Sequence, residues 1–154
     1  MSPLRFRPLS RAKEGFSLPL DSAVADEVKG WLKRAASDLR TAELVRNGSP
    51  PELGAAVFHC QQVAEKALKA FLVVHGRTFR KTHSIEEIGE AVLTIDDSLR
   101  SFIDRAVPLT EYAWKFRYPG EQDEPTAEEA DEAIDVAREV LSAVRTRVPS
   151  EAAP

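Results

Sequence analysis

The side chains best able to move a proton or hold a phosphate fall in two short stretches. The first is Gln61-Gln62-x-x-Glu65-Lys66-x-x-Lys69, followed after a glycine by Arg77-Thr-Phe-Arg-Lys-Thr-His83. The second is Arg117-Tyr118. Gln61 and Glu65 sit at the edge of an apolar helix face, where a carboxylate costs several kcal/mol unless it is partnered. Glu65 must therefore meet a cation, a helix terminus or a second subunit, and Arg34 or Arg117 are candidate partners within the chain. His83 stands directly before a serine that can cap a helix. There it could act as an acid or base, or simply tie down its loop. The Arg117 guanidinium could fork onto a phosphate while Tyr118 stacks on a base. Alternatively, the arginine saturates helix carbonyls and the ring fills the bundle edge.

Other chemistries find no support in the residues. His59 and His75 lie far apart on a helical wheel, with no carboxylate at ligand spacing, so neither a metal site nor a cofactor is expected. Glycine-rich phosphate loops, nucleophile elbows and paired-carboxylate motifs are missing from the sequence. The single cysteine, Cys60, excludes an internal disulfide and reads as a small core residue.

The elements that must position these groups are helical. Val24, Val28, Trp31, Leu32, Ala35, Leu39, Ala42 and Val45 recur at steps of three and four, which predicts a helix from Asp21 to Asn47. A second helix runs from Glu52 to His75, with Gly76 as its stop. Val57, Cys60, Ala64, Leu68 and Phe71 form its apolar centre. His59, Gln62, Lys66 and Lys69 fall on the opposite face, where water contact is expected. Ser84-Ile-Glu-Glu87 has the form of a capping box and predicts a short third helix. A fourth segment, Asp97 to Phe116, must be kinked or divided at Pro108. A second capping box, Thr126-Ala-Glu-Glu129, opens a last amphipathic helix. The fold class is thus all-α: an up-and-down antiparallel bundle of four long helices plus one short helix.

The chain has 154 residues, 43% apolar and 30% charged, enough for one domain of soluble type without a membrane span, and a cytoplasmic setting is expected. Residues 1–20 read as a basic, proline-containing arm, 21–148 as the bundle and 149–154 as a tail. The net charge of −4 argues against coating nucleic acid by bulk electrostatics. Basic residues nevertheless cluster locally: Arg5, Arg7, Arg11 and Lys13 in the arm, and Lys66, Lys69, Arg77, Arg80 and Lys81 mid-chain. The usual role of such a cluster is a solvated face.

Four pieces in order carry a family resemblance. They are Ala35-x-x-Asp38-Leu39-x-x-Ala42, Phe58-x-x-Gln61-Gln62-x-x-Glu65-Lys66-x-Leu68-Lys69-x-x-Leu72, Lys81-Thr82-His83 and Arg117-Tyr118-Pro119. Together, over Trp31 to Val148, they resemble the HEPN domain of prokaryotes and higher eukaryotes. The resemblance implies a helical bundle, usually a homodimer, linked to nucleotide binding or RNA cleavage. It also implies a minimal nucleotidyltransferase as partner in a toxin–antitoxin module. Ribonucleases of the family carry an arginine, four to six residues and a histidine on a late helix. Here no histidine follows Arg117, and only Arg77 and His83 match that spacing, in an earlier connection. The expectation is therefore a binding or regulatory protein that engages a nucleotide, RNA or the nucleotidyltransferase. Its groove is lined by Gln61, Glu65, Lys66, Lys69, His83, Arg117 and Tyr118. The alternative is a metal-independent ribonuclease toxin using Arg77 and His83, and a purely structural adaptor is the third option.

Overall fold

The structure, a computed structural model, describes residues 19–116, 118–120 and 123–154. The basic arm residues Arg5, Arg7, Arg11 and Lys13, together with Arg117 and Glu121, lie outside the described residues.

Helix α1 spans Ser22–Arg46 and starts where the Asp21 carboxylate accepts the Ala23 amide at 2.9 Å. That bond satisfies one of the amides left unpaired at any helix start. Helix α2, Leu53–Val74, is the central element, with 13 of its 22 residues buried. The geometry of its C-terminus directs the next segment. Gly76 adopts φ +65°, a left-handed conformation that glycine reaches without a side-chain penalty. The Gly76 amide then bonds the Val73 carbonyl at 3.1 Å and the Arg77 amide bonds the Leu72 carbonyl at 2.9 Å. This is the Schellman pattern of closure. It carries residues 77–83 back across α2, where Phe79 meets Trp31 of α1 edge-on at 6.1 Å.

Helix α3, Ile85–Leu93, begins at Ser84, whose hydroxyl accepts the Glu87 amide at 3.2 Å. The expected capping box is only half formed. The Glu87 carboxylate turns to Arg80 at 2.7 Å, and the Ser84 amide bonds the Thr82 hydroxyl at 3.1 Å instead. The fourth side of the bundle is composite, with a 3₁₀ turn at Asp97–Leu99, helix α4 at Arg100–Ala106 and a 3₁₀ stretch at Val107–Ala113. Pro108 does divide this segment, because proline lacks the amide that an α-helix would use and crowds the carbonyl four residues back. The fourth expected long helix is therefore a seven-residue α-helix flanked by 3₁₀ turns. Helix α5, Ala127–Arg145, carries the complete capping box of Thr126 and Glu129.

The helices run up and down. Asp38 of α1 pairs with His59 of α2, Arg46 with Asp131 of α5, and Arg105 of α4 with Glu139 of α5. The core between them holds Val28, Leu32, Val57, Leu68, Phe71, Leu72, Ile85, Leu99 and Leu141, each 1% exposed or less. Burying each such side chain contributes roughly 1.5–3 kcal/mol before the cost of ordering the chain. After α5, a 3₁₀ turn at Ser150–Ala152 folds back on α1, with Ala152 buried and the Leu20 amide bonded to the Glu151 carboxylate at 2.9 Å. No helix among the described residues is long and apolar enough to cross a membrane.

Candidate functional site

Two of the polar residues expected at the bundle seam are buried in it: Gln61 is 0% exposed and Glu65 4%. The cation that meets Glu65 is Lys69, one turn along the same helix, with Nζ 2.7 Å from Oε1. Arg34 lies on α1 and is not a partner of Glu65. The placement of Lys69 on a water-facing surface is corrected as well, since Lys69 is only 7% exposed. A helical wheel gives the angle of a side chain but not what covers it, and here the 77–83 segment covers it. The ammonium also donates to the Thr82 carbonyl at 3.2 Å and lies 5.7 Å from the Trp31 ring centre and 5.4 Å from that of Phe79. Two aromatic faces thus replace the water a lysine would otherwise keep.

The second carboxylate oxygen of Glu65 is the hub of the site. Oε2 accepts from Gln61 Nε2 at 2.9 Å and faces His83 Nδ1 at 3.0 Å, with Gln62 Nε2 at 3.4 Å. Gln61 Nε2 also donates to the His83 carbonyl at 3.1 Å, and Gln62 Nε2 donates to Gln61 Oε1 at 2.6 Å. Every buried side-chain nitrogen and oxygen among the described residues has a partner. Burial pushes Glu65 upward, but the hydrogen bonds from Lys69, Gln61 and His83 outweigh it and hold the carboxyl below its ordinary range. Glu65 is therefore ionised near neutrality, and an ionised carboxylate can only accept. Consequently His83 Nδ1 must carry the proton. The imidazole itself is 69% exposed, so a fixed and buried acceptor holds an exposed ring whose Nε2 is free for solvent or a ligand.

The other expected site residues are distributed differently. Lys66 points away from Glu65 and pairs with Asp38 of α1, which also holds His59 Nδ1 at 2.8 Å. This three-residue cluster is absent from the sequence expectations, because Asp38 lies 21 and 28 residues from its partners and only the α1–α2 register joins them. His75 bonds the Phe71 carbonyl of its own helix at 2.9 Å. Arg77 and His83 are not brought together within the chain. The Arg77 guanidinium reaches Thr94 Oγ1 at 3.5 Å, past the C-terminus of α3, whereas His83 precedes its N-terminus. A nine-residue helix separates those ends by about 13 Å. Tyr118 is 73% exposed and joins neither cluster among the described residues. Burial raises the Cys60 thiol to about 12, which makes it an inert core group.

The profile of the family described as "HEPN domain" matches residues 28–147, which includes both carboxylate-held histidines. The chain belongs to the HEPN family. A protein of Methanocaldococcus jannaschii named "Putative toxin MJ1304" is 32% identical over 133 residues, covering 76% of this HEPN chain and 85% of its own length. Among solved structures, ST0689, described as an archaeal HEPN homologue, superposes with a TM-score of 0.63 at 29% identity, covering 79% of this chain and 98% of that one. TT1696 from Thermus thermophilus superposes with a TM-score of 0.70 at 27% identity, covering 80% and 99%. The bundle of this HEPN chain is thus shared over nearly the whole of both neighbours.

Proposed function

We propose that this chain is a toxin-type HEPN protein that engages RNA at the His83 edge of the seam. The observation that carries this reading is the buried Glu65 carboxylate, pinned by Lys69, holding an exposed imidazole through Nδ1. A fold needing only stability gains little from a buried ion pair, since apolar residues of similar size serve as well or better. An oriented ring with Nε2 outward is what a phosphate oxygen or a ribose hydroxyl can bind. The M. jannaschii relative's name supports the toxin assignment, and the exposed basic residues of the 77–83 connection, Arg77 and Lys81 among them, supply a phosphate-attracting surface. In this reading Gln61, Glu65 and Lys69 position the ring and do not touch the ligand themselves. Arg117 and Tyr118 are further phosphate and base contacts in this reading, and Tyr118 is exposed enough to make one. The protein works as a homodimer, with a minimal nucleotidyltransferase as its partner in a toxin–antitoxin module.

The test is fluorescence anisotropy with a short 2′-O-methyl RNA, which resists cleavage through its own 2′-oxygen and so reports binding alone. Wild type is expected to bind with an affinity that weakens with salt, and His83→Ala is expected to lose most of it while melting like wild type. Equal affinity of the two proteins would refute the assignment of the His83 edge. Light scattering and co-purification with a co-expressed nucleotidyltransferase check the dimer and the partner separately.

A further inference from the structure

Between α3 and α4 lies an open groove of about 320 Å³. Leu93, Ile103 and Val107 form its apolar floor, and the exposed carboxylates of Glu86, Glu90 and Asp104 edge it. The two helices meet beside it because Gly89 has no side chain: a Cβ there would stand 2.5 Å from Ile103 Cγ2. None of the three carboxylates has a side-chain partner among the described residues, although their neighbours do: Glu87 is held by Arg80 and Asp97 by Arg100. Glu86 and Glu90 stand one turn apart on α3, where like charges repel. Glu86 suits the first turn of that helix, but Glu90 lies in the last, where the helix dipole disfavours a negative charge. The bundle therefore leaves this rim uncompensated, over apolar surface that stays open to water.

The chain carries a segment complementary to the groove. Residues 1–18 hold Arg5, Arg7, Arg11 and Lys13 against one acid, Glu14, and apolar and basic residues alternate in Leu4-Arg5-Phe6-Arg7. Successive side chains of an extended segment point to opposite sides. Leu4 and Phe6 can then meet the floor while the long stems of Arg5 and Arg7 reach over to the rim.

The bundle also puts the two within reach. The Leu20 amide is bonded to Glu151 at 2.9 Å. Arg147, four residues before Glu151, bonds Asp96 at 2.9 Å and Ser98 at 3.0 Å, and Arg100, two residues beyond Ser98, lines the groove. The arm thus joins the bundle at the end where α4 begins. Its eighteen residues, fully extended, would reach on the order of 60 Å, far more than that path requires. A second apolar groove, on α5, is edged by Arg138 and Arg147 and does not suit a basic segment.

We propose that residues 1–18 dock in the α3–α4 groove of their own chain, with apolar side chains on Leu93, Ile103 and Val107 and basic groups on Glu86, Glu90 and Asp104. The inference is independent of the RNA reading and of the His83 site.

The experiment attaches a nitroxide to Ser10→Cys in the full chain, where buried Cys60 does not compete for the label. Methyl NMR signals are then compared with the nitroxide oxidised and reduced. Leu93, Ile103 and Val107 are expected to lose most of their intensity in the oxidised state, and Leu44, near the far end of α1, is expected to keep it. The loss should persist on dilution into unlabelled protein and weaken with salt. Glu90→Lys with Asp104→Lys should abolish it, and adding Arg5→Glu with Arg7→Glu should restore it. If the lysine pair melts early, Glu90→Gln with Asp104→Asn serves in its place. Full intensity at the three groove residues in the otherwise wild-type protein overturns the inference. A loss that dilution removes also overturns it, since the groove then takes the arm of a second copy. So does a loss that survives the charge variants, because the acidic rim would not be what selects the arm.

Discussion

Replacing Lys69 by methionine isolates what the buried cation does for Glu65, because methionine keeps most of the stem and loses the charge. The Nζ–Oε1 separation is 2.7 Å and the side chains are 8% and 6% exposed. At an effective dielectric of about 20 the gross attraction over that distance is roughly 6 kcal/mol. Part of it is offset by desolvation in the wild type, and part of the loss is recovered because Gln61 and His83 still reach the carboxylate. Removing one partner of a buried pair costs about 3–5 kcal/mol in general, and the remaining donors place this case near the low end, at about 3 kcal/mol. Urea unfolding followed by circular dichroism at neutral pH measures it, with Glu65→Gln and the double variant closing a cycle. The double variant should recover at least half of the loss, since no uncompensated charge is then buried. A Lys69→Met protein within about 0.5 kcal/mol of wild type, a typical margin for surface substitutions, would refute the view that this pair anchors the site.

The same geometry yields three other expected outcomes. Because the folded protein holds Glu65 below its ordinary range, its contribution to stability is complete above the unfolded carboxyl value near 4.3 and is lost as pH falls through the lower folded value. Unfolding midpoints measured from pH 6 downward should therefore lose less between those limits in Glu65→Gln than in wild type. Gly76→Ala must force a side chain into a left-handed backbone at φ +65°, at a cost of roughly 1–2 kcal/mol by thermal or urea unfolding, and it should increase amide exchange across residues 77–83. The native Cys60 thiol, buried and raised to about 12, should react with a thiol reagent only at the rate of global unfolding, read as the dependence of labelling on urea.

What the sequence made legible was local. The three- and four-residue apolar steps located α1 and α2 to within a residue at each end, the Thr126 capping box located the start of α5, and Asp21, Ser84 and Thr126 serve as the caps their types suggest. Gln61 and Glu65 stood out because polar groups at an apolar edge require an explanation. The identity of their partner was also within reach, since Glu65 precedes Lys69 by four residues in the favourable order for a helical ion pair. It was missed because the wheel assigned Lys69 to water. Only the turn at Gly76 reveals that the subsequent residues fold over that face, and a glycine stop gives no direction to the chain beyond it. The Asp38–His59–Lys66 cluster depends on how two helices align, a long-range property that no single-helix pattern contains. The half-formed capping box at Ser84 shows a similar competition, in which a forked arginine, Arg80, draws Glu87 away from a backbone amide.

The central claim is that buried, ionised Glu65 fixes the tautomer of exposed His83, and nitrogen NMR of the imidazole at mildly alkaline pH tests it directly. The account predicts a protonated Nδ1 and an unprotonated Nε2 in wild type, with the preference lost in Glu65→Leu. A wild-type ring carrying its proton on Nε2, as a free histidine prefers, would contradict it.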